Sequence, residues 1–233
     1  MDHFHYKNGA YHVEDVPLTA IAEAVGTPVY CYSSATLSRH YDVFSKHFPG
    51  AKVCFAVKAN GNVAILKTLA KLGSGADVVS EGEIRLALAA GIAPSDMVFS
   101  GVGKTAGEMA FALERDIFQF NVESEPELLL LNDMANAKGK KARVAIRINP
   151  DVDPKTHAKI STGQKESKFG VPMAQAMALF KRAAGLSGIA LQGVSVHIGS
   201  QLTRIEPFAQ AFARVREFVG ELRAAGIHIQ TID

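Results

Sequence analysis

The sequence predicts a parallel α/β fold of the β/α-barrel kind, with about seven strands present and the barrel left incomplete. Three observations point there. Short β-rich runs alternate with helical stretches along most of the chain. Three of these runs lead directly into helix-start signals. Two later runs put polar residues on one face and apolar residues on the other, a pattern that an open sheet covered on both sides does not need.

Residues 1–32 precede the first repeat and are expected to form a separate strand-and-helix element, leaving residues 33–233 for the barrel. Strand candidates follow at 53–57, 76–80, 97–100, 118–122, 143–148, 192–198 and 227–232. After the first, Val63, Leu66, Leu69 and Ala70 recur at helical spacing and give one apolar face to lay on a sheet. The next three strands end in Ser80-x-x-Glu83, Thr105-x-x-Glu108 and Ser124-x-x-Glu127, each matching the capping box. Strands joined by crossovers of this length run parallel, since no tight hairpin connects them.

Alternation then separates barrel from open sheet. Arg143, Ala145, Arg147 and Asn149 share one face of their strand, with Val144, Ile146 and Ile148 on the other. Gly193, Ser195, His197 and Gly199 likewise oppose Val194, Val196 and Ile198. A barrel has helices only outside and can turn polar side chains toward a site in its lumen. The stretch 150–172 is too polar for a core element and too long for an ordinary connection. Long polar loops inside compact domains are often lids, and its 161–168 part is expected to be mobile without ligand.

Composition excludes several classes. A formal charge of +2 rules out electrostatic attraction to nucleic acid or membrane as the organising feature. At 48% hydrophobic, a chain of 233 residues buries a real core. Cys31 and Cys54 are too few for a disulfide framework, and the opening residues carry no secretory signal, so a reducing cytoplasm is expected. No apolar run reaches the roughly 18 residues of a membrane span. No His/Cys/Asp/Glu set has metal spacing, and no G-x-S-x-G or G-x-G-x-x-G opens a helix. Ser100-Gly101-Val102-Gly103-Lys104-Thr105 imitates the tail of a phosphate loop, but Val98 stands where that motif needs its first glycine.

Four polar residues sit where barrel chemistry would. Lys58 shares a face with Cys54 and Ala56 at a strand's C-terminal end. A desolvated amine there loses its proton readily and bonds to carbonyl compounds, while a strand-end lysine snorkelling to solvent fits the spacing equally. His197 reads either as a satisfied core histidine or as a ring that stacks on a flat cofactor. Ser200 could donate to a phosphate or cap a turn. Arg147 cannot shed its charge, so on a lumen face it needs an anionic or hydrogen-bonding partner.

Together the segments Phe55-Ala56-Val57-Lys58-Ala59-Asn60, Gly75-Ala76-Asp77-Val78-Val79-Ser80, Ser100-Gly101-Val102-Gly103-Lys104, Arg147-Ile148-Asn149-Pro150-Asp151-Val152-Asp153-Pro154-Lys155-Thr156-His157, Lys168-Phe169-Gly170 and His197-Ile198-Gly199-Ser200-Gln201 resemble the diaminopimelate decarboxylases, in family order from about Val29 onward. The resemblance implies a pyridoxal-phosphate (PLP) enzyme of fold type III, the alanine-racemase-like barrel class, removing one carboxylate of meso-diaminopimelate to give L-lysine, the last step of lysine biosynthesis. It implies that Lys58 holds the cofactor, His197 stacks on its ring and Ser200 binds its phosphate. Asp77 and Arg147 match cofactor-lining positions, and Ala56 leaves room. Glu83 matches one too, although its capping role already accounts for it.

The resemblance also leads one to expect a glycine-rich phosphate loop after Asp233, a glutamate for the pyridine nitrogen and a C-terminal β-domain whose cysteine completes a partner subunit's site in a homodimer. The chain is therefore expected to be the N-terminal part of a longer enzyme and inactive by itself. Two rival readings remain on the sequence: a non-enzymatic PLP-binding homeostasis protein, and a decarboxylase of ornithine or arginine.

Overall fold

A computed structural model describes residues 2–152, 169–200 and 202–233. The chain opens on a small antiparallel sheet, β1 (Phe4–Lys7), β2 (Ala10–Val13) and β3 (Val16–Pro17), followed by α1 (Leu18–Val25). Lys7 pairs with Ala10, so β1 and β2 are joined by Asn8-Gly9 alone, both with positive φ, as a two-residue hairpin of right-handed twist requires. At the next turn the Glu14 carboxylate accepts from Ser33 Oγ at 2.7 Å and Ala35 N at 3.0 Å. It thereby caps α2 (Ser34–Lys46) and ties the small sheet to the larger body. The Ala35 N–H, chiefly, holds the Glu14 carboxyl below its usual range.

The repeat then runs β4 (Cys54–Ala56), α3 (Val63–Lys71), β5 (Gly75–Val78), α4 (Glu81–Ala89), β6 (Met97–Phe99), α5 (Ala106–Arg115), β7 (Gln119–Val122), α6 (Glu125–Ala137) and β8 (Ala142–Asn149). After the two-residue β9 (Val171–Pro172) come α7 (Met173–Ala184), β10 (Ile189–Val196), α8 (Glu206–Ala224) and β11 (Thr231–Ile232). The sheet order is β11-β10-β8-β7-β6-β5-β4, with β9 on β8, and every pair is parallel. This is the expected α/β class, an incomplete parallel barrel of seven main strands. Five of the seven strand windows are recovered nearly as read. The window 53–57 narrows to a three-residue strand, and 227–232 to two residues.

Each strand's outward side chains meet the helices in one core. Val78, Phe99, Phe120, Val122, Val144, Ile146 and Val194 pack with Leu66, Ile84, Met109, Leu128, Phe180 and Leu222, all nearly or wholly removed from water. At about 25 cal/mol per Å² of apolar surface, this burial is the main force holding the layers together. The inward face is polar, as the alternation requires: Gln119, Asn121, Arg147, Asn149 and Ser195 are all buried. A chain of hydrogen bonds crosses it. Gln119 Nε2 donates to Asn121 Oδ1 at 2.8 Å, Asn121 Nδ2 to Ser100 Oγ at 3.0 Å, and Ser100 Oγ to Asp77 Oδ1 at 2.6 Å.

All three helix caps form, with one difference from expectation. Ser80, Thr105 and Ser124 each accept from the backbone N–H three residues on. Only Glu108 completes the box by returning to the cap residue's own N–H. Glu83 and Glu127 reach one residue further back, to Val79 N at 2.8 Å and Glu123 N at 2.9 Å. Both carboxylates thus pin the last residue before the cap, where a strand ends. Of the polar stretch 150–172, the 161–168 part expected to be mobile and the motif residues Lys155, Thr156, His157 and Lys168 lie outside the described residues, as does Gln201. Among the described residues no helix is long and apolar enough to cross a membrane.

Candidate active site

Lys58, Val79, Ser100, Gly101, Glu123, Arg147 and His197 come from six successive strand ends and line one cavity of about 210 Å³ at the C-terminal edge of the sheet. A wider hollow of about 790 Å³ lies between α6 and α7, but it offers no amine or imidazole. The smaller cavity is the better candidate because it gathers an amine, an imidazole and a guanidinium where parallel barrels hold their chemistry.

Lys58 is not on the strand itself. β4 ends at Ala56, and a single 3-10 turn, Val57–Ala59, carries the lysine to the cavity rim. Its side chain is exposed, so of the two readings open on the sequence the structure holds the solvent-facing lysine and not the desolvated amine. Turn placement is the cause, since the turn lifts Lys58 past the packed strand end. His197 likewise falls just beyond β10 and is partly buried. Burial, then the nearby positive charges of Arg147 and Lys58, push its pKa down to about 4. Its ring is therefore uncharged at neutral pH.

Arg147 is 9% exposed and donates from NH1 to Glu123 Oε2 at 3.0 Å. Its guanidinium carbon lies 5.9 Å from the Phe169 ring centre. Gly170, with φ of +79°, allows that approach: a Cβ there would sit 3.2 Å from Arg147 Cγ and 3.0 Å from Asn149 Oδ1. Among the described residues, Arg147 Nε and Asn149 Oδ1 are buried polar atoms without a hydrogen-bond partner. An orphaned donor on a cavity-lining cation is unusual, and an acceptor from a ligand or an ordered water would satisfy it.

The remaining expected residues do not line this cavity. Asp77 stands behind it, bonded to the lining Ser100, and burial raises its carboxyl above the usual range against the pull of that hydrogen bond. Ala56 instead lines an apolar groove between α2 and β4. Ser200 is exposed on the loop after β10. Glu83 spends its carboxylate on Val79 N. Sequence reasoning missed Glu123, although strand alternation after Gln119 and Asn121 already puts it on the lumen side. It also gave Lys104 no role of its own, placing it only in a failed phosphate loop and in one of the segments that carry the resemblance.

A parallel sheet curled toward a barrel, with its reactive side chains at the C-terminal strand ends, defines a β/α-barrel protein built to hold a small molecule there. Residues 34–233 match the family described as "Pyridoxal-dependent decarboxylase, pyridoxal binding domain", and the chain belongs to that family. Diaminopimelate decarboxylase of Vibrio cholerae is 49% identical over 237 residues, covering 100% of this chain and 57% of that protein. The Zymomonas mobilis one is 50% identical over 99% of this chain and 56% of its own length. The chain thus spans a little over half the length of these relatives.

Solved structures agree. Diaminopimelate decarboxylase of Helicobacter pylori, complexed with L-lysine, has a TM-score of 0.88 at 43% identity, covering 93% of this chain and 55% of that one. The M. jannaschii enzyme in co-complex with L-lysine has a TM-score of 0.90 at 40% identity, covering 99% and 56%. The family's cofactor is pyridoxal phosphate. The residues present fit it: an exposed amine at the cavity rim suits its aldehyde, an uncharged aromatic ring suits its flat face, and the orphaned Arg147 Nε offers a donor.

Proposed function

We propose that this chain supplies the cofactor-binding part of a decarboxylase that converts meso-2,6-diaminopimelate to L-lysine and carbon dioxide. The observation that carries this reading is the meeting of Lys58, Arg147 and His197 in one cavity at the strand ends. The names of the relatives, and the L-lysine in two solved ones, support diaminopimelate over other basic amino acids.

Lys58 would bond the cofactor's aldehyde carbon through Nζ. When bound, pyridoxal phosphate supplies an electron-withdrawing ring that accepts the electron pair left behind as carbon dioxide departs. His197, uncharged at neutral pH, would lie against that ring without adding a positive charge to its face. Arg147 would donate from Nε, its NH1 already committed to Glu123. Asp77, held by Ser100, would orient the amine side of the site, Ala56 would leave space behind it, and Ser200 would donate to the phosphate. We place the working protein in the cytoplasm as a homodimer, with residues 1–32 as a segment apart from the 33–233 barrel.

Borohydride trapping tests the reading. Reduced after incubation with pyridoxal phosphate, the protein is expected to carry label on the peptide containing Lys58, and Lys58→Ala to carry none. Label on another lysine in the wild type, or no label, overturns the assignment. Carbon dioxide release by the full protein from meso-diaminopimelate, but not from ornithine or arginine, settles the substrate.

A further inference from the structure

We propose that Lys104, acting through Glu127 and Glu123, is a positioning residue that holds the Arg147 guanidinium at the candidate site. The Lys104 side chain has no exposed surface. Its ammonium donates to Gly101 O at 2.6 Å, Asn121 O at 2.8 Å and Glu127 Oε1 at 2.7 Å, which uses all three of its N–H groups. The other Glu127 oxygen accepts from Glu123 N at 2.9 Å. Glu123 then accepts from Gly101 N at 2.8 Å and from Arg147 NH1 at 3.0 Å. Gly101 is gripped through both its carbonyl and its N–H, so the cavity-lining loop and the arginine belong to one circuit.

The circuit holds two cations and two carboxylates in a buried setting. Such sets seldom outdo well-packed apolar side chains for stability, so stability alone is a weak reason for one. What they fix well is geometry, because each member must keep its partner or remain as an uncompensated buried charge. Among the described residues, the buried polar atom of this circuit without a partner is Arg147 Nε. Lys104 therefore sets where that donor stands, at a distance from the cavity that its own ammonium never reaches.

This rests on the cofactor reading of the cavity, yet it can be tested without cofactor. Among the described residues, the charges acting on His197 are Arg147 and Lys58, which lower its pKa, and Glu123, which raises it. Lys104 acts on the ring only through Arg147 and Glu123. In the full protein with labelled histidine and no added cofactor, Lys104→Met should release Arg147 and raise the His197 titration midpoint by roughly half a pH unit or more. Glu127→Gln, nearly the same shape, should move it in the same direction and serves if Lys104→Met does not fold. Lys104→Arg should restore part of the shift.

Lys140→Met is the control, because Lys140 also bonds carbonyls, Leu113 O and Glu114 O, at the far end of α5. It should lower the melting temperature and leave His197 unmoved. A His197 midpoint unchanged in Lys104→Met and Glu127→Gln overturns the proposal. Failure of wild-type protein to retain pyridoxal phosphate would instead overturn the cofactor reading, with the histidine titration still reporting on the circuit.

Discussion

Gly193→Ala should destabilise the protein through contacts set by the barrel's curvature. Gly193 lies inside β10, opposite Ala145 on β8 and Thr231 on β11. A Cβ there would stand 2.2 Å from Thr231 Oγ1, 2.8 Å from Ala145 Cβ and 3.1 Å from Thr231 O. The first clash could be relieved by turning Thr231, at the cost of its 2.7 Å hydrogen bond to Gln119 Oε1. The other two involve a methyl and a backbone oxygen and need a strand to move. Overpacking of this kind costs about 1–3 kcal/mol, and a lost hydrogen bond adds about 1. An escape route caps the total. β11 is two residues long at the sheet edge, and peeling it away breaks the bonds Asp233 N to Val194 O, Val196 N to Asp233 O and Gln230 N to Gln192 O. The side-chain bonds Thr231 Oγ1 to Gln119 Oε1 and Ser195 Oγ to Asp233 Oδ1 go with them, so at about 1 kcal/mol each peeling limits the loss to about 5 kcal/mol. Urea unfolding reads the total, and hydrogen exchange at Val196 and Asp233 tells peeling from strain. Adding Thr231→Ala should recover part of the loss, so the two changes should be non-additive. A destabilisation below about 0.5 kcal/mol, with exchange unaltered, would refute the packing argument.

The fold was legible in the sequence because its signals are local. Strand runs, the helical spacing of Val63, Leu66 and Leu69, and the serine and threonine caps all lie within a few residues of one another. The polar lumen was legible for the same reason, since a period of two fixes which side chains share a face. What escaped depends on contacts distant in sequence or on a local irregularity. Strict alternation puts Gln192 with Val194 on the outer face, but a register shift between Leu191 and Gly193 turns its amide to Gln119 Oε1 at 3.1 Å. Two of the three bonds of Lys104 run to residues 17 and 23 positions away, beyond the reach of any motif. The exposure of Lys58 follows from one 3-10 turn that a Val-Lys-Ala triplet does not announce. By contrast, Asn8-Gly9 was a readable hairpin signal that went unused.

Two further expectations concern the caps and the histidine. Thr105→Ala removes the cap that accepts from Glu108 N and should cost about 1 kcal/mol in thermal unfolding, with a loss under about 0.3 counting against the capping box. His197 should make stability depend on pH in a stated direction. Because the folded state holds its pKa down at about 4 against an ordinary 6.5, the unfolded chain takes up the proton first as pH falls. The stabilising contribution is complete above about 6.5 and is lost progressively as pH drops toward 4. At about 1.4 kcal/mol per pH unit the ceiling is about 3 kcal/mol, and the ring's partial exposure to solvent reduces it to about 1–2. Asp77 and Glu127, raised by burial, work the other way as pH falls. The quantity to measure is therefore the difference between wild type and His197→Gln in urea unfolding at pH 7 and at pH 4.5. Wild type should lose more stability than the variant between those values. An equal loss in both would mean that neither burial nor the charges of Arg147 and Lys58 push on the ring, and that His197 carries its charge as readily folded as unfolded.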